Sequence, residues 1–355
     1  MADEVPVDPA VVDLVVLAEW MDAKGLGEGP LGQVTALAGG TQNLLLSFER
    51  SGRRYIFRRP PEHKRKNSDE TMRREARVLA ALAGTRVPHP ALIAAEPDTE
   101  VLGAAFYLME PVDGFTATNG LPALHANDPM VRHQMGCSFV DALLALHEVD
   151  PSGRGLDDFG QPEGFLARQV PRWQAQLESY AELDGYQGPE IPHRVEVARW
   201  LERNQPEPSP TGIIHGDYHL GNVMFGHHDG QLAAIVDWEL ATRGDPLVDL
   251  GLVVAMWPDH DGAGGGVVGV QPWDGFPSIN EVIERYRQGS ARSLDALDWY
   301  AALACFKTGI ILEGTHARAC AGLAPKAFGD LLHATTVGLF MKAHGIINAA
   351  ENAAS

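Results

Sequence analysis

Three polar residues have the types and the spacing that transfer of a phosphoryl group requires. Asp217 and Asn222 follow the apolar pair Ile213–Ile214, and Asp237 follows the apolar run 233–236. Phosphoryl transfer needs an acceptor for the hydroxyl proton, oxygen ligands for a divalent cation, and cations on the phosphates. Two carboxylates and an amide oxygen suit the first two tasks, because Mg²⁺ prefers hard oxygen ligands.

A hairpin is the element that would hold these residues in place. The apolar pair leads into the polar loop 215–222, and the chain then returns as the short apolar strand 223–225. A second apolar strand ends at Asp237. This arrangement predicts that Asp217, Asn222 and Asp237 are presented at one end of the hairpin.

The same residues resemble the aminoglycoside phosphotransferase and choline kinase branch of the protein-kinase-like superfamily. The motif of that branch reads H-G-D-x-x-x-x-N, followed by I-D-x-[DEG]; here His215–Asn222 and Val236–Glu239 match it. The resemblance implies ATP as the phosphoryl donor, Asp217 as the catalytic base, and Asn222 and Asp237 as ligands of Mg²⁺. Gly216 replaces the arginine of eukaryotic protein kinases, so control by phosphorylation of an activation loop is not expected.

The stretch 39–43 lies where this family has its phosphate-covering loop. Its backbone N–H groups would cradle the phosphates. Taken alone, a glycine pair of this kind is more often an ordinary turn. The residues expected to contact the nucleotide are Gly39, Gly40, Thr41 and Asn43.

An arginine and an inward-facing glutamate complete the expected phosphate site. Placing residues 68–83 on a helix puts Glu75 within the apolar stripe, where an unpaired carboxylate is costly and a cationic partner is expected. By resemblance Arg58 occupies the place of the family's lysine on the α- and β-phosphates, and Glu75 the place of its partner. Arg59 takes that role if the register slips by one, and a solvated cation is the alternative for Arg58.

The segment Met109–Val112 matches the family's linker between lobes, where backbone groups of Glu110 and Val112 would meet the edge of the adenine. Strand patterns lie mostly before Pro111 and helical patterns mostly after it. We therefore expect an α+β, two-lobed protein-kinase-like fold: an N-lobe over 1–111 with an antiparallel sheet, and a mainly helical C-lobe over 112–355. Expected elements include a helix over 9–24, a turn at Ser51–Gly52 and a hairpin within 101–112.

Composition excludes several partners for this chain of 355 residues. Its net charge of −19 argues against binding to nucleic acid or to an anionic membrane surface. It has neither a signal-peptide pattern nor an apolar stretch of the roughly 20 residues that span a bilayer, so a cytoplasmic location is expected. Three distant cysteines and the absence of a C-x-x-C pair or Cys/His cluster indicate reduced thiols without zinc.

The expected acceptor is a hydroxyl on a small molecule. Phe57–Pro61 resembles the branch joined to, or encoded near, acyl-CoA dehydrogenases, which points to a hydroxyacyl-CoA or related lipid-derived alcohol and to a functional link with such a dehydrogenase. Two alternatives are a kinase of aminoglycoside or macrolide antibiotics and a nucleotide-binding pseudokinase. Asp245 and Asp249 are expected to be structural. The polar candidates on a wall of the acceptor pocket are Lys307, Glu313, His316 and Arg318.

Overall fold

The computed structural model describes residues 5–6, 12–37, 43–61, 63–64, 67–258 and 269–354. The chain divides into two compact units. The first comprises Met1–Gly114, Pro151–Asp157 and Ala233–Ala241, and the second comprises Phe115–Asp150, Asp158–Leu232 and Thr242–Ser355. The predicted boundary at residue 111 divides the chain once and does not place the two later segments in the first unit. The lobe boundary therefore stays a prediction.

Six strands form one antiparallel sheet in the first unit, in the order β1-β2-β3-β4-β6-β5 when numbered along the chain. A tight turn joins the third and fourth strands; its residues Ser51 and Gly52 have φ values of 49° and 75°, which suit a two-residue hairpin and confirm the predicted turn. The strands are β1 (Val5–Pro6), β2 (Gly32–Ala36), β3 (Leu44–Arg50), β4 (Arg53–Arg59), β5 (Leu92–Glu96) and β6 (Phe106–Met109).

The predicted hairpin within 101–112 is wrong in its first strand. The partner of β6 on that side is β5, whose Glu96 lies opposite Phe106. Residues 100–102 form part of the turn that connects the two strands. The apolar run from Val101 led to the prediction of a strand, because turn residues that cover a core are also apolar.

Two helices of the first unit are α1 (Leu14–Ala23) and α2 (Ser68–Leu82). The side chain of Asp13 accepts hydrogen bonds from the amides of Val15 and Val16 at 3.0 and 3.1 Å, and this N-cap makes α1 begin later than predicted. Residues 9–11 of the predicted helix lie outside the described residues. Helix α2 ends at Leu82 and confirms the helix predicted over residues 68–83.

The first unit has a hydrophobic core. Its buried residues include Leu17, Trp20, Met21, Leu46, Phe48, Tyr55, Phe57, Phe106 and Leu108.

Helices dominate the second unit, as expected for a protein-kinase-like C-lobe. They are α3 (Ala123–Asn127), α4 (Pro129–His147), α5 (Gln169–Ser179), α6 (Arg194–Arg203), α7 (Leu247–Met256), α8 (Ile279–Gly289), α9 (Leu297–Cys320) and α10 (Lys326–Ala354). Short strands later in the chain are β7 (Gly212–Ile214), β8 (Val223–Phe225), β9 (Leu232–Ile235) and β10 (Thr242–Gly244). Strand β7 pairs with β10 in antiparallel orientation.

The long helices α9 and α10 run antiparallel along each other. The hydroxyl of Thr336 donates to the carbonyl of Gly309 at 2.9 Å, and the rings of Phe306 and Phe340 lie 5.6 Å apart. Within the part of the chain that the structure describes, every helix is too short or too polar to cross a membrane.

Candidate active site

Strand β4 and helix α2 bring Arg58 and Glu75 together in the first unit. Nε of Arg58 lies 3.0 Å from Oε2 of Glu75, and its Nη2 donates to Oε1 at 3.3 Å. The carboxylate is 1% exposed, and Oε2 also accepts the hydroxyl proton of Tyr107 at 2.7 Å. The expected cationic partner of the inward glutamate is therefore Arg58. Burial raises the pKa of Glu75 to about 7, although Arg58 and Tyr107 act in the opposite direction.

Arg58 also contacts Asp237, whose backbone is in the left-handed region with φ at 64°. Nη2 of Arg58 lies 3.0 Å from Oδ1 of Asp237. A non-glycine residue in this region is strained, and such strain concentrates at functional sites. Burial opposes the charge on Arg58, but the carboxylate of Glu75 raises the pKa of its guanidinium.

Three carboxylates surround this one guanidinium. Glu75, Asp237 and Glu239 have oxygens that all lie within 4.8 Å of one another. The side chain of Asp237 is 40% exposed, in contrast to the buried Glu75. A divalent cation at Asp237 fits this donor set, because oxygen ligands suit Mg²⁺ and a second positive charge would reduce the repulsion among the acids.

In the second unit a buried carboxylate holds the loop that follows β7. Asp249 on α7 accepts the backbone N–H of His215 at 2.6 Å and that of Gly216 at 2.8 Å. Gly216 has a φ of 86°, where a side chain would add strain. The structural role expected for Asp249 is confirmed, because its carboxylate holds the loop backbone through these two hydrogen bonds.

The carboxylate of Asp217 projects from this fixed loop. The amide nitrogen of Asn222 donates to Oδ2 and to the backbone carbonyl of Asp217, both at 2.9 Å. Nε2 of His219 lies 3.4 Å from Oδ2. Burial would raise the pKa of Asp217, but its hydrogen bond with His219 and the charges of His219 and Lys307 lower it to about 2. Asp217 is therefore ionised at neutral pH.

The orientation of Asn222 fits a metal-ligand role. Because its NH₂ group is directed to Asp217, its carbonyl oxygen is turned to the other side and is suited to a hard cation. His219 accepts the N–H of Gly221 on Nδ1 at 3.0 Å, a contact within the same loop. His215 is fully buried and accepts the N–H of Asp217 at 3.2 Å.

Lys307 on α9 contacts the same loop. Its Nζ donates to the carbonyl of Gly216 at 2.6 Å and lies 5.8 Å from the ring centre of Trp173. The guanidinium of Arg172 lies 5.0 Å from the same ring. Two basic side chains therefore border one indole beside the loop that follows β7. The sequence indicated Lys307 only as one of several wall residues, and it gave no signal for Arg172 or Trp173, because α5 is distant along the chain.

Several predicted nucleotide contacts stay predictions. Gly39, Gly40 and Thr41 lie outside the described residues, and Asn43 directly precedes β3. Nε of Arg59 donates to the carbonyl of Pro60 at 3.2 Å. The residue of strand β4 that pairs with Glu75 is Arg58.

The predicted linker has its own contacts. The N–H of Glu110 donates to the carbonyl of Ala91 at 2.9 Å, and its carboxylate pairs with Arg53. Val112 follows β6 by three residues and is partly buried. Backbone contacts of Glu110 and Val112 with an adenine stay a prediction.

A family model provides the decisive comparison. Residues 33–300 match the model described as the phosphotransferase enzyme family. This chain belongs to that family. The matched range includes Arg58, Glu75, the loop with Asp217 and Asn222, and Asp237.

Relatives of this phosphotransferase include parts of larger proteins. It is 30% identical over 305 residues to acyl-CoA dehydrogenase family member 11 of Gallus gallus, a match covering 83% of the chain and 38% of that protein. It is 28% identical over 295 residues to family member 10 of Mus musculus, covering 81% of the chain and 27% of that protein. The chain thus spans about a quarter to two-fifths of the length of these relatives.

Solved structures confirm the kinase-like fold. A protein of Ralstonia eutropha JMP134, provisionally assigned as an aminoglycoside phosphotransferase, is 29% identical, with a TM-score of 0.77 and coverage of 94% of this chain and 99% of that one. Aminoglycoside phosphotransferase APH(2")-IIIa, in complex with GDP and kanamycin, has a TM-score of 0.60 at 15% identity, covering 93% of this chain and 99% of that one. The latter likeness supports the fold alone.

Proposed function

We propose that this phosphotransferase moves the γ-phosphate of ATP to a hydroxyl of a small molecule, with Asp217 as the base. The supporting observation is the fixed loop, which presents an ionised carboxylate whose side chain is 42% exposed. A carboxylate with a pKa of about 2 is a weak base. It is sufficient where the transition state is loose and the hydroxyl mainly requires orientation.

We assign the nucleotide to Arg58 and the metal to Asn222 and Asp237. Arg58 would contact the phosphates while Glu75 holds its guanidinium. When bound, Mg²⁺ would neutralise part of the negative charge on the β- and γ-phosphates. Further contacts are expected from Gly39, Gly40, Thr41 and Asn43 to the phosphates and from the backbones of Glu110 and Val112 to the adenine.

The acceptor that we favour is anionic, such as a hydroxyacyl-CoA or a related lipid-derived alcohol. Burial lowers the pKa of Lys307, but the charges of Asp217 and Asp249 act in the opposite direction. Lys307 and the exposed Arg172 border the Trp173 ring, and such cations would attract anionic groups and repel polycations. Two relatives are named as members of the acyl-CoA dehydrogenase family, which supports a functional link between phosphoryl transfer and acyl-CoA dehydrogenation. The cytoplasm is the compartment that we expect.

Phosphorylation of aminoglycoside or macrolide antibiotics is the second candidate. The net charge of −19 would attract polycations, and the APH(2")-IIIa structure holds kanamycin. A pseudokinase is the third, motivated by arginine in place of the family's lysine at residue 58.

A panel assay separates these candidates. The purified chain, Mg²⁺ and ATP are incubated with hydroxyacyl-CoAs of several chain lengths, the matching free hydroxy acids, kanamycin and hygromycin B, and phosphorylated products are identified by mass spectrometry. We expect products from hydroxyacyl-CoAs only. Phosphorylated antibiotic would favour the second candidate, and nucleotide binding without any product would favour the pseudokinase.

Two variants make the assay specific. Asp217→Asn should abolish product, whereas Asp141→Asn, an exposed acid on α4 that pairs with Arg285, should leave it unchanged. Lys307→Met should raise the KM of an anionic acceptor. An unaltered KM would remove the argument for an anionic acceptor while leaving the kinase assignment intact.

A further inference from the structure

Helices α9 and α10 carry a second cluster of ionisable side chains in the second unit. Glu313 and His316 are three residues apart on α9, so they share one face, and His333 on α10 lies opposite them. One ligand atom from each of the three residues lies within 4.8 Å of the others. Glu313 and His316 were expected on a wall of the acceptor pocket, but Glu313 is bound to Tyr186 and His333, and the proposed phosphoryl transfer uses none of the three residues.

Glu313 is a fully buried carboxylate at the centre of this cluster. Its Oε2 lies 2.8 Å from Nδ1 of His333, and its Oε1 accepts the hydroxyl proton of Tyr186 at 2.7 Å. Burial and the hydrogen bond to Glu313 raise the pKa of Tyr186. Within the described ranges the only ion pair of Glu313 is with this imidazole, which is cationic only when protonated.

The two ring nitrogens of His316 face different neighbours. Its Nδ1 is buried and has no hydrogen-bond partner among the residues that the structure describes; Oδ1 of Asp330 lies 3.7 Å from it, beyond hydrogen-bond distance. Its Nε2 lies 3.6 Å from Sγ of Cys320, and its ring stacks on that of His333 with centres 4.6 Å apart. A buried nitrogen without a partner is costly, and a metal ion would satisfy it.

We propose that Glu313, His316 and His333 bind a Zn²⁺ ion that links α9 to α10. One carboxylate and two imidazoles would form a three-residue zinc set, and Cys320 lies beside His316. Nitrogen ligands and a nearby sulfur favour zinc over Mg²⁺ or Ca²⁺. Tyr186 supplies the outer hydrogen bond that typically orients a ligating carboxylate.

The sequence gave no sign of this site, since its ligands lie 20 residues apart and include no cysteine pair. A second cluster of His193, Glu196 and His344 offers an internal comparison. There Glu196 is exposed, so no buried acid requires a cation. We assign no site to that cluster.

Zinc titration of the full chain tests the proposal. Chelator-treated protein is titrated with Zn²⁺ by calorimetry and followed by thermal unfolding. We expect one equivalent to bind and Tm to rise by several degrees, because a ligand of the native state stabilises it. His316→Ala and His333→Ala should each weaken Zn²⁺ by at least about 100-fold, and Tyr186→Phe by roughly 10-fold. Mg²⁺ at the same concentration should leave Tm unchanged.

Two histidine controls make the outcome decisive. His228→Ala removes an exposed histidine, and His344→Ala removes the second cluster; both should bind Zn²⁺ like the wild type. The proposal is overturned if His316→Ala and His333→Ala bind Zn²⁺ unchanged, or if His344→Ala alone loses it. Should the alanine variants misfold by circular dichroism, Tyr186→Phe carries the test, and unchanged affinity there overturns the proposal.

Discussion

The two functional regions hold their acidic residues in different ways. In the first unit, Arg58 lies among Glu75, Asp237 and Glu239, so the acids are held by side-chain charge. In the second unit, Asp249 accepts two backbone N–H groups and fixes the loop that carries Asp217. Charge pairs respond to pH and to added cations, whereas a backbone held by a buried carboxylate does not rearrange cheaply.

This difference matches the two tasks of a phosphotransferase. A nucleotide and its metal add both anionic and cationic charge, so a region held by ion pairs can accommodate them by exchanging partners. A base must stay within hydrogen-bond reach of one hydroxyl, which requires a fixed backbone. We therefore expect the site in the first unit to be sensitive to changes of charge, and the loop in the second unit to be sensitive to displacement of its backbone.

Asp249→Asn should have the largest effect among the tests of this contrast. The amide keeps the size of the carboxylate, but its NH₂ group would face a backbone N–H, leaving a buried donor unsatisfied at about 1–3 kcal/mol. Displacement of the loop by about 1 Å would lower turnover roughly 100-fold. Steady-state kinetics and thermal unfolding measure both effects.

The exposed pair of Asp141 with Arg285 provides the matched control for that variant. Asp141→Asn should change stability by less than about 1 kcal/mol, because exposed ion pairs contribute little. Equal effects of the two substitutions would show that the loop does not depend on Asp249.

The pH dependence of stability should distinguish Glu75. Its folded-state pKa of about 7 exceeds the ordinary 4.5, so the folded chain binds more protons than the unfolded chain between these values. The unfolding free energy contributed by Glu75 therefore falls as pH rises through this range, by on the order of 1 kcal/mol per pH unit. We expect the stability of wild type relative to Glu75→Gln to be greater at pH 5 than at pH 7.5.

Asp217 sharpens the same experiment because the pKa of its carboxyl is shifted in the opposite direction. With a folded-state pKa of about 2, below the ordinary 3.8, its stabilising contribution is lost only as pH falls through that lower range. Because Asp217 itself does not change charge between pH 5 and 7.5, the stability difference between Asp217→Asn and wild type should vary less over this range than that for Glu75→Gln. A larger slope for Asp217→Asn, or none for Glu75→Gln, would contradict the assignments.

Arg58→Lys should have the smallest effect. Lysine keeps the charge and can pair with Glu75 or Asp237, but it lacks the planar fork that reaches both acids. We expect kcat/KM for ATP to change by less than about 10-fold, a difference under 1.4 kcal/mol. Arg58→Met, which removes the cation, should exceed that limit; similar values for the two variants would show that charge is not what Arg58 supplies.

The sequence was most informative where local chemistry has a strict pattern. The position of Glu75 in the apolar stripe of α2 predicted a buried acid with a cationic partner, and the structure provides Arg58. The Ser51–Gly52 turn was predicted from its local signal, whereas the structural role of Asp249 was expected from the family resemblance.

Contacts between distant segments were beyond the reach of the sequence. Tyr107 binds Glu75 across 32 positions, and Lys307 binds Gly216 across 91, with no local pattern to connect them. The start of α1 was misjudged because apolar periodicity extended past the cap at Asp13. Tertiary packing selects such partners, and a single sequence does not record it.

Binding and turnover in Asp217→Ala and Asp237→Ala, measured side by side, test the central claim most directly. Calorimetry with a magnesium-bound, non-hydrolysable ATP analogue gives the affinity, and steady-state kinetics gives kcat. We predict that Asp217→Ala loses about 10³-fold in kcat with affinity nearly unchanged, because the base acts on the acceptor. Asp237→Ala should lose at least about 10-fold in affinity, because it removes a metal ligand. An equal loss of affinity in both variants would contradict the assignment of Asp217 as base and Asp237 as metal ligand.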